Sequence, residues 1–334
     1  MTLSEASLVA TIERTASASR SVRRPVPCRL TGLRIGIRML FVMLAAACAH
    51  DERPIFTATE QQAAVVPGYD DVPIRLVLDA DPERLREAGA FFLPDTDTVE
   101  PEYLALSGGG AQGAVGAGVL VGWSASGKRP AFDLVTGVSA GALIAPFAFL
   151  GKETDDTLTG VFTSGVAEGL IDRRFFLFGL LGQSLADPDP LKDLVAEHVD
   201  ESLLLRIAEE HGKGRRLHIV TTNLDSQRNV LWDLGAIASS GRPDALSLFR
   251  EALTASASIP GIFPGVEIET VADGRTIREL HADGSIVRQV FVFPDAVGAV
   301  GDLPARFEDA PPNLTLVTVR ARPPYGCTPL LANA

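Results

Sequence analysis

The order of its segments predicts an α/β fold in which a sheet carries helices on both faces. Three observations support this. From Glu102 onward, short apolar runs of strand length alternate with longer runs of helix length. Two strand-to-helix junctions are made of glycine and small residues, "LSGGGAQGA" (106–114) and "GVSAG" (137–141). The composition is that of a globular chain, with 334 residues, 46% hydrophobic and 22% charged, long enough for one large domain.

The elements follow in order. Residues 48–100 are polar, with scattered prolines and acids, and read as a tether and lead-in in which "IRLVLD" (74–79) forms a strand. "EYLALS" (102–107) is a strand and 111–126 a helix of small residues. "FDLVTG" (132–137) is the second strand and "SAGALIAPFAFLG" (139–151) the helix after it. Helical segments follow at 156–165, 190–199 and 201–212. "RLHIVTTNLD" (216–225) and "NVLWDL" (229–234) are strands, and the helix over 243–260 stops at Pro260. "RTIRELHADGS" (275–285) and "RQVFVFP" (288–294) close the domain as strand and turn. Between the helical segments at 156–165 and 190–199, "RRFFLFGLLGQSL" (173–185) is apolar on nearly all sides. It reads either as a buried helix or as an exposed apolar flap or membrane-facing patch. No internal repeat interrupts this order.

The first 47 residues differ in kind. They hold seven arginines and two acids, and end in an apolar run from Met39 to Ala47 that leads into Cys48. A basic flank, a short apolar core and small residues before a cut describe a secretory signal peptide over 1–47. The run is too short to span a bilayer, which needs about 20 apolar residues. Ala45, Ala46 and Ala47 before Cys48 resemble a bacterial lipobox, which makes Cys48 the lipidation site, and Ala49 after it favours outer-membrane sorting. Cleavage without lipidation, near Ala47 or Ala49, is the alternative. The expected location is the cell envelope, as a lipoprotein facing the periplasm or in the outer membrane.

Formal net charge is -12, and removal of the basic leader makes the remainder more acidic still. No Lys/Arg-rich run marks a nucleic-acid face. Of the three cysteines, removal of Cys28 and acylation of Cys48 leave Cys327 alone, so the mature chain has no disulfide partner. No Cys/His spacing suggests a metal.

Gly108, Gly110 and Gly113 satisfy G-x-G-x-x-G, a dinucleotide fingerprint. That reading needs an acid at the end of the second strand, whereas Asp133 stands at its beginning. The second strand ends instead in G-x-S-x-G, between a strand and a helix, the context of a nucleophile elbow. Gly137 and Gly141 permit the turn that presents Ser139. The glycine loop one unit earlier offers backbone N–H groups to an oxyanion. For the base, His50 precedes the nucleophile in the polar lead-in, while His198, His211 and His218 read as solvated or packed. Two candidates are left, His281 and Asp283 in "HADGS" (281–285). A carboxylate held beside a serine hydroxyl in a poorly solvated cleft can take its proton directly.

"LSGGGAQGA", "GVSAG", "ASASIPGIFPGV" and "HADGS" resemble, in order, the four blocks of the patatin-like phospholipases, over roughly 102–294. The resemblance implies three α/β/α layers about a central, mainly parallel sheet, with a hydrolase domain over 101–320 and an irregular tail over 321–334. It implies a Ser139–Asp283 dyad without histidine, an oxyanion hole at Gly108, Gly109 and Gly110, and acyl transfer through an acyl-enzyme. No metal or organic cofactor is called for. The implied partners are a lipid or ester substrate and a membrane reached through the lipid anchor. The chain departs from the family at Gln112, where Arg or Lys is usual, and at Ser285, where Gly or Ala follows Asp-Gly. The alternatives are a Ser–His–Asp esterase using His281 and a non-catalytic, lipid-binding envelope lipoprotein.

Overall fold

Along the central strands, side chains of both alternations are buried, so the sheet is covered on its two faces. Strand β2 (Glu102–Leu106) buries every residue after Glu102, and β3 (Leu134–Val138) buries all five of its residues. Strand β4 (Arg216–Asn223) buries everything after Arg216. The computed structural model describes residues 54–80, 85, 92–96, 98, 101–163, 189–291 and 313–317. The chain divides into two units, Met1–Arg53 and Pro54–Ala334, and all described residues belong to the second. The signal segment, Cys48, the run over 173–185 and the tail over 321–334 lie outside the described residues.

The sheet runs β1 (Arg75–Val77), β5 (Arg228–Asp233), β4, β3, β2 and β8 (Asn313–Val317). Strands β4, β3, β2 and β8 are parallel neighbours. Strand β5 is antiparallel to β4, and β1 is antiparallel to β5. The hairpin β6 (Val266–Ala272) and β7 (Arg275–Asp283) attaches through β7, antiparallel to β4. The architecture is therefore mixed α/β, and the expectation of a mainly parallel sheet is corrected: among the described strands four of the seven pairings are antiparallel. The reason is loop length. β4 and β5 are joined by four residues, and β6 and β7 by Asp273-Gly274, both at positive φ (49° and 73°). Connections this short can only return the chain antiparallel. Residues 54–80, within the segment read as tether and lead-in, contribute β1 to the sheet and Ile74, Leu76 and Val77 to the core.

Helix starts have local causes. α1 (Ala58–Ala63) opens on a capping box, with Thr57 N donating to Glu60 at 2.7 Å and Glu60 N to Thr57 Oγ1 at 3.3 Å. α2 (Gly113–Ala125) and α3 (Ala140–Leu150) follow the two glycine junctions, and α4 (Asp155–Thr163) begins on two acids. α5 (Pro190–His198) has Asp189 as cap and Pro190 in its first turn. α6 (Glu201–Gly212) is capped by Asp200 and α7 (Leu234–Ser239) by Asp233. α8 (Ala245–Ala257) ends in the "ASAS" stretch. Trp232, Tyr103, Phe132, Phe149 and Phe249 are the largest wholly buried side chains. Among the described residues no helix is long and apolar enough to cross a membrane.

The topology explains how distant residues meet. β3 pairs with β4 as far as Val138 opposite Val220, and then turns away at Ser139. The edge of β4 beyond that point is taken by β7, arriving antiparallel and ending at Asp283 opposite Thr221. Two strand ends thus point into one gap from opposite directions.

Candidate active site

Ser139 sits at φ 55°, ψ -123°, a conformation a side-chain-bearing residue rarely adopts. Two close approaches allow the turn. A Cβ on Gly141 would lie 2.4 Å from the Leu106 carbonyl oxygen, and one on Gly137 would lie 2.5 Å from the Gly141 oxygen. Helix α3 begins directly after Ser139, so its positive end lies beside the hydroxyl. Ser139 Oγ donates to Asp283 Oδ2 at 2.5 Å, across 144 positions of sequence. Both residues are buried, at 3% and 1% exposure.

Asp283 Oδ1 accepts from Ser285 N at 2.8 Å and from Ser285 Oγ at 2.6 Å. Burial raises the Asp283 carboxyl above its ordinary value, and the hydrogen bonds from Ser139 and Ser285 oppose that rise only in part. No neighbouring charge figures among these causes. A carboxylate with raised proton affinity, bonded to a serine hydroxyl, is equipped to accept that proton.

Two further serines hold the pair in place. Ser256 Oγ accepts from Ser139 N at 3.2 Å and donates to the Val220 carbonyl at 2.6 Å. The Ser258 carbonyl accepts from Asp283 N at 2.9 Å. Sequence reasoning assigned neither a role. The available signal was the run of small polar residues at the end of a helix, in the third of the four motif blocks. Asn229 Nδ2 also reaches the Thr221 and Gly284 carbonyls, each at 3.2 Å, and so ties the β4 residue opposite Asp283 to the residue that follows Asp283.

The glycine loop packs directly on the Ser139–Asp283 pair. A Cβ on Gly108 would stand 3.2 Å from the Cβ atoms of both Ser139 and Ser285. The Gly108 N–H, expected to face an oxyanion, donates instead to the Gln289 carbonyl at 2.9 Å. In this structure the Gly108 donor is thus engaged within the fold. The N–H groups of Gly109 and Gly110 have no acceptor among the described residues. Gly110 and Ser139 open on an apolar slot of about 50 Å³, walled by Leu143, Phe162, Leu191, Leu194 and Phe263 among others.

The other sequence candidates go elsewhere. His281 is wholly buried, with Nδ1 2.9 Å from Thr221 Oγ1 and Nε2 3.4 Å from Glu279. Burial lowers its pKa, and it makes no hydrogen bond to Ser139. His218 and His211 lie 3.7 and 3.8 Å from Asp233, and His198 ends α5. His50 lies outside the described residues. Asp133, considered for a nucleotide ribose, accepts from Thr98 Oγ1 and from Glu102 N, both at 2.8 Å, and so clamps the start of β2. Among the described residues no group of three His, Cys, Asp or Glu side chains is placed to hold a metal ion.

Comparison with known proteins agrees with the motif order. The model of the patatin-like phospholipase family matches residues 104–294. Among solved structures, the chain is similar to the crystal structure of VipD from Legionella pneumophila, at 16% identity and a TM-score of 0.32. That match covers 59% of this chain and 48% of that one, so the chain spans about half the length of that protein. No curated protein matches. With more than half of its length accounted for by one family model, the chain belongs to the patatin-like phospholipase family.

Proposed function

We propose that the protein is a serine acyl hydrolase that cleaves lipid carboxylic esters through a Ser139–Asp283 dyad. The 2.5 Å hydrogen bond between Ser139 Oγ and Asp283 Oδ2, inside a strained and buried elbow, carries the reading. In the first step Asp283 takes the hydroxyl proton as Ser139 Oγ bonds to the ester carbonyl carbon. The Gly109 and Gly110 N–H groups receive the oxyanion, each such donor being worth about 10²–10³ in rate. The carbon–oxygen bond to the alcohol then breaks, and Asp283 returns its proton to the leaving oxygen. In the second step Asp283 deprotonates a water that attacks the acyl-enzyme, and Ser139 is released with its proton restored.

The apolar slot beside Ser139 supports an acyl chain as the recognised group. Its volume of about 50 Å³ is far below the ~300–1,000 Å³ of pockets that bury a drug-sized ligand. The slot therefore seats a short acyl segment next to the carbonyl. The basic and apolar leader and Cys48 extend the reading to a lipid-anchored enzyme of the cell envelope. Radiolabelled palmitate incorporation that Cys48→Ala abolishes is the expected result for that anchor, and labelling unaffected by the substitution would remove it.

The test of the activity is hydrolysis of p-nitrophenyl esters of increasing chain length and of phospholipid vesicles, by the wild type and by Ser139→Ala. The substitution lowers the rate by at least about 10³-fold. Equal background rates in both proteins would replace this reading with that of a lipid-binding protein whose dyad is vestigial.

A further inference from the structure

Asp283 is held at both of its oxygens, and each is held by a serine. Oδ2 receives Ser139 Oγ at 2.5 Å. Oδ1 receives two donors from one residue, Ser285 N at 2.8 Å and Ser285 Oγ at 2.6 Å. The backbone bond belongs to the 3-10 turn over Gly284–Ile286, and any residue other than proline would make it. The hydroxyl bond is what this particular side chain adds. It is charge-assisted when the carboxylate is ionised, and bonds of that kind are shorter and stronger than neutral ones. Gly108 also lies close to the Ser285 side chain, since a Cβ built on it would stand 3.2 Å from the Cβ atoms of both Ser285 and Ser139.

Two physical consequences follow. With Oδ1 pinned by two donors at one end, the carboxyl plane cannot rotate about Cβ–Cγ without breaking both bonds, so Oδ2 stays turned toward Ser139. Hydrogen bonds donated to a carboxylate also favour its ionised form, against the burial that favours the neutral acid. A protonated Asp283 could not accept the proton of Ser139.

We propose that Ser285 is a positioning residue of the Ser139–Asp283 pair, its hydroxyl fixing Oδ1 so that Oδ2 faces Ser139 Oγ in its proton-accepting form. The inference rests on the dyad reading above. The groups that face Asp283 from neighbouring elements are neutral: Ser139 at the end of β3, Thr221 and Thr222 of β4, and Ser256 and Ser258 at the end of α8. The charged or titratable groups nearest along β7 are His281 and Glu279, with Arg75 of β1 paired to Glu279 at 3.0 Å. His281 and Glu279 are engaged with each other and with Thr221 and Arg75. A change confined to Ser285 therefore reports on Asp283.

The experiment is the pH profile of kcat/KM for a soluble ester with the wild type, Ser285→Ala, Ser285→Gly, Ser285→Cys and Ser285→Thr, with Ser139→Ala as the control. Ser285→Ala and Ser285→Gly are expected to move the acid limb to higher pH. They also lower kcat about tenfold at the pH where the wild type has just reached its plateau, the effect of one lost charge-assisted bond. KM stays unchanged, because Ser285 does not line the acyl slot. Ser285→Thr, which keeps the hydroxyl, restores the limb. An acid limb in Ser285→Ala that superimposes on the wild type would overturn the proposal, as would a Ser285→Thr limb displaced as far as that of Ser285→Ala. Should Ser285→Ala fail to unfold cooperatively, Ser285→Cys, of similar size and a weak donor, is held to the same displacement. Full activity in Ser139→Ala would be a different failure, that of the dyad itself.

Discussion

Removal of the Ser256 hydroxyl tests whether the strained elbow is held from outside itself. Ser256 is wholly buried, and its Oγ bridges Ser139 N at 3.2 Å and the Val220 carbonyl at 2.6 Å. Ser256→Ala deletes one oxygen and leaves the Ser139 N–H without its partner. An unsatisfied buried donor costs about 1–3 kcal/mol. The Ser139 conformation at φ 55° itself stores strain on the order of 1–3 kcal/mol, which the surroundings must hold. A loss of about 2 kcal/mol lowers the thermal midpoint by about 4–8 °C in a domain of this size. The same loss frees the elbow to relax and Ser139 Oγ to drift from Asp283. Displacements of about 1 Å cost up to ~10²-fold in rate. The assay is calorimetry of the variant alongside kcat on a short p-nitrophenyl ester. A midpoint within a degree of the wild type, together with an unchanged kcat, would refute the reasoning.

Other outcomes follow from the same structure. Gly141→Ala places a Cβ 2.4 Å from the Leu106 oxygen, so the variant is expected to lose soluble expression or most of its stability, and wild-type stability would contradict that close approach. Leu143→Ala widens the apolar slot, which shifts the preference in p-nitrophenyl ester hydrolysis toward longer acyl chains; an unchanged profile would mean the acyl group sits elsewhere. Stability should fall as pH drops below neutrality. Burial holds His281 and His211 below the ordinary histidine value of about 6.5, so the unfolded chain binds more protons, and their contribution is full above that value and declines beneath it. At lower pH Glu279 adds to the fall. Burial alone would raise this carboxyl, but Arg75 and His281 bring it below 4.5, and its contribution disappears as pH falls through that lowered value. Thermal midpoints measured from pH 7 to 4 check this, and a flat profile would contradict it.

The candidate pair was legible in the sequence because each half of it lies in a short motif at the end of a strand. "GVSAG" and "HADGS" name Ser139 and Asp283, and β3 and β7 bring them together. What was not legible depends on contacts across the fold. Gly108 looks equivalent to its two neighbours until Gln289 takes its N–H. Ser256 and Ser258 look like ordinary small residues of a helix end until the backbones of Ser139 and Asp283 arrive beside them. The sheet type was misread for a local reason. In "VEIETVA" the buried Ile268, Thr270 and Ala272 alternate with more exposed neighbours, and Asp273-Gly274 follows. That is a hairpin signal, hidden by two glutamates. β1 was visible as an apolar run, but nothing local said that it would pair with β5.

The most direct test of the dyad is covalent labelling by a fluorophosphonate, followed by intact mass and peptide mapping, for the wild type, Ser139→Ala, Asp283→Asn and His281→Gln. The account predicts one adduct, on Ser139, lost in Ser139→Ala, slowed by orders of magnitude in Asp283→Asn, and formed at near wild-type rate in a folded His281→Gln. An adduct on another residue, or labelling of Asp283→Asn as fast as the wild type, would contradict it.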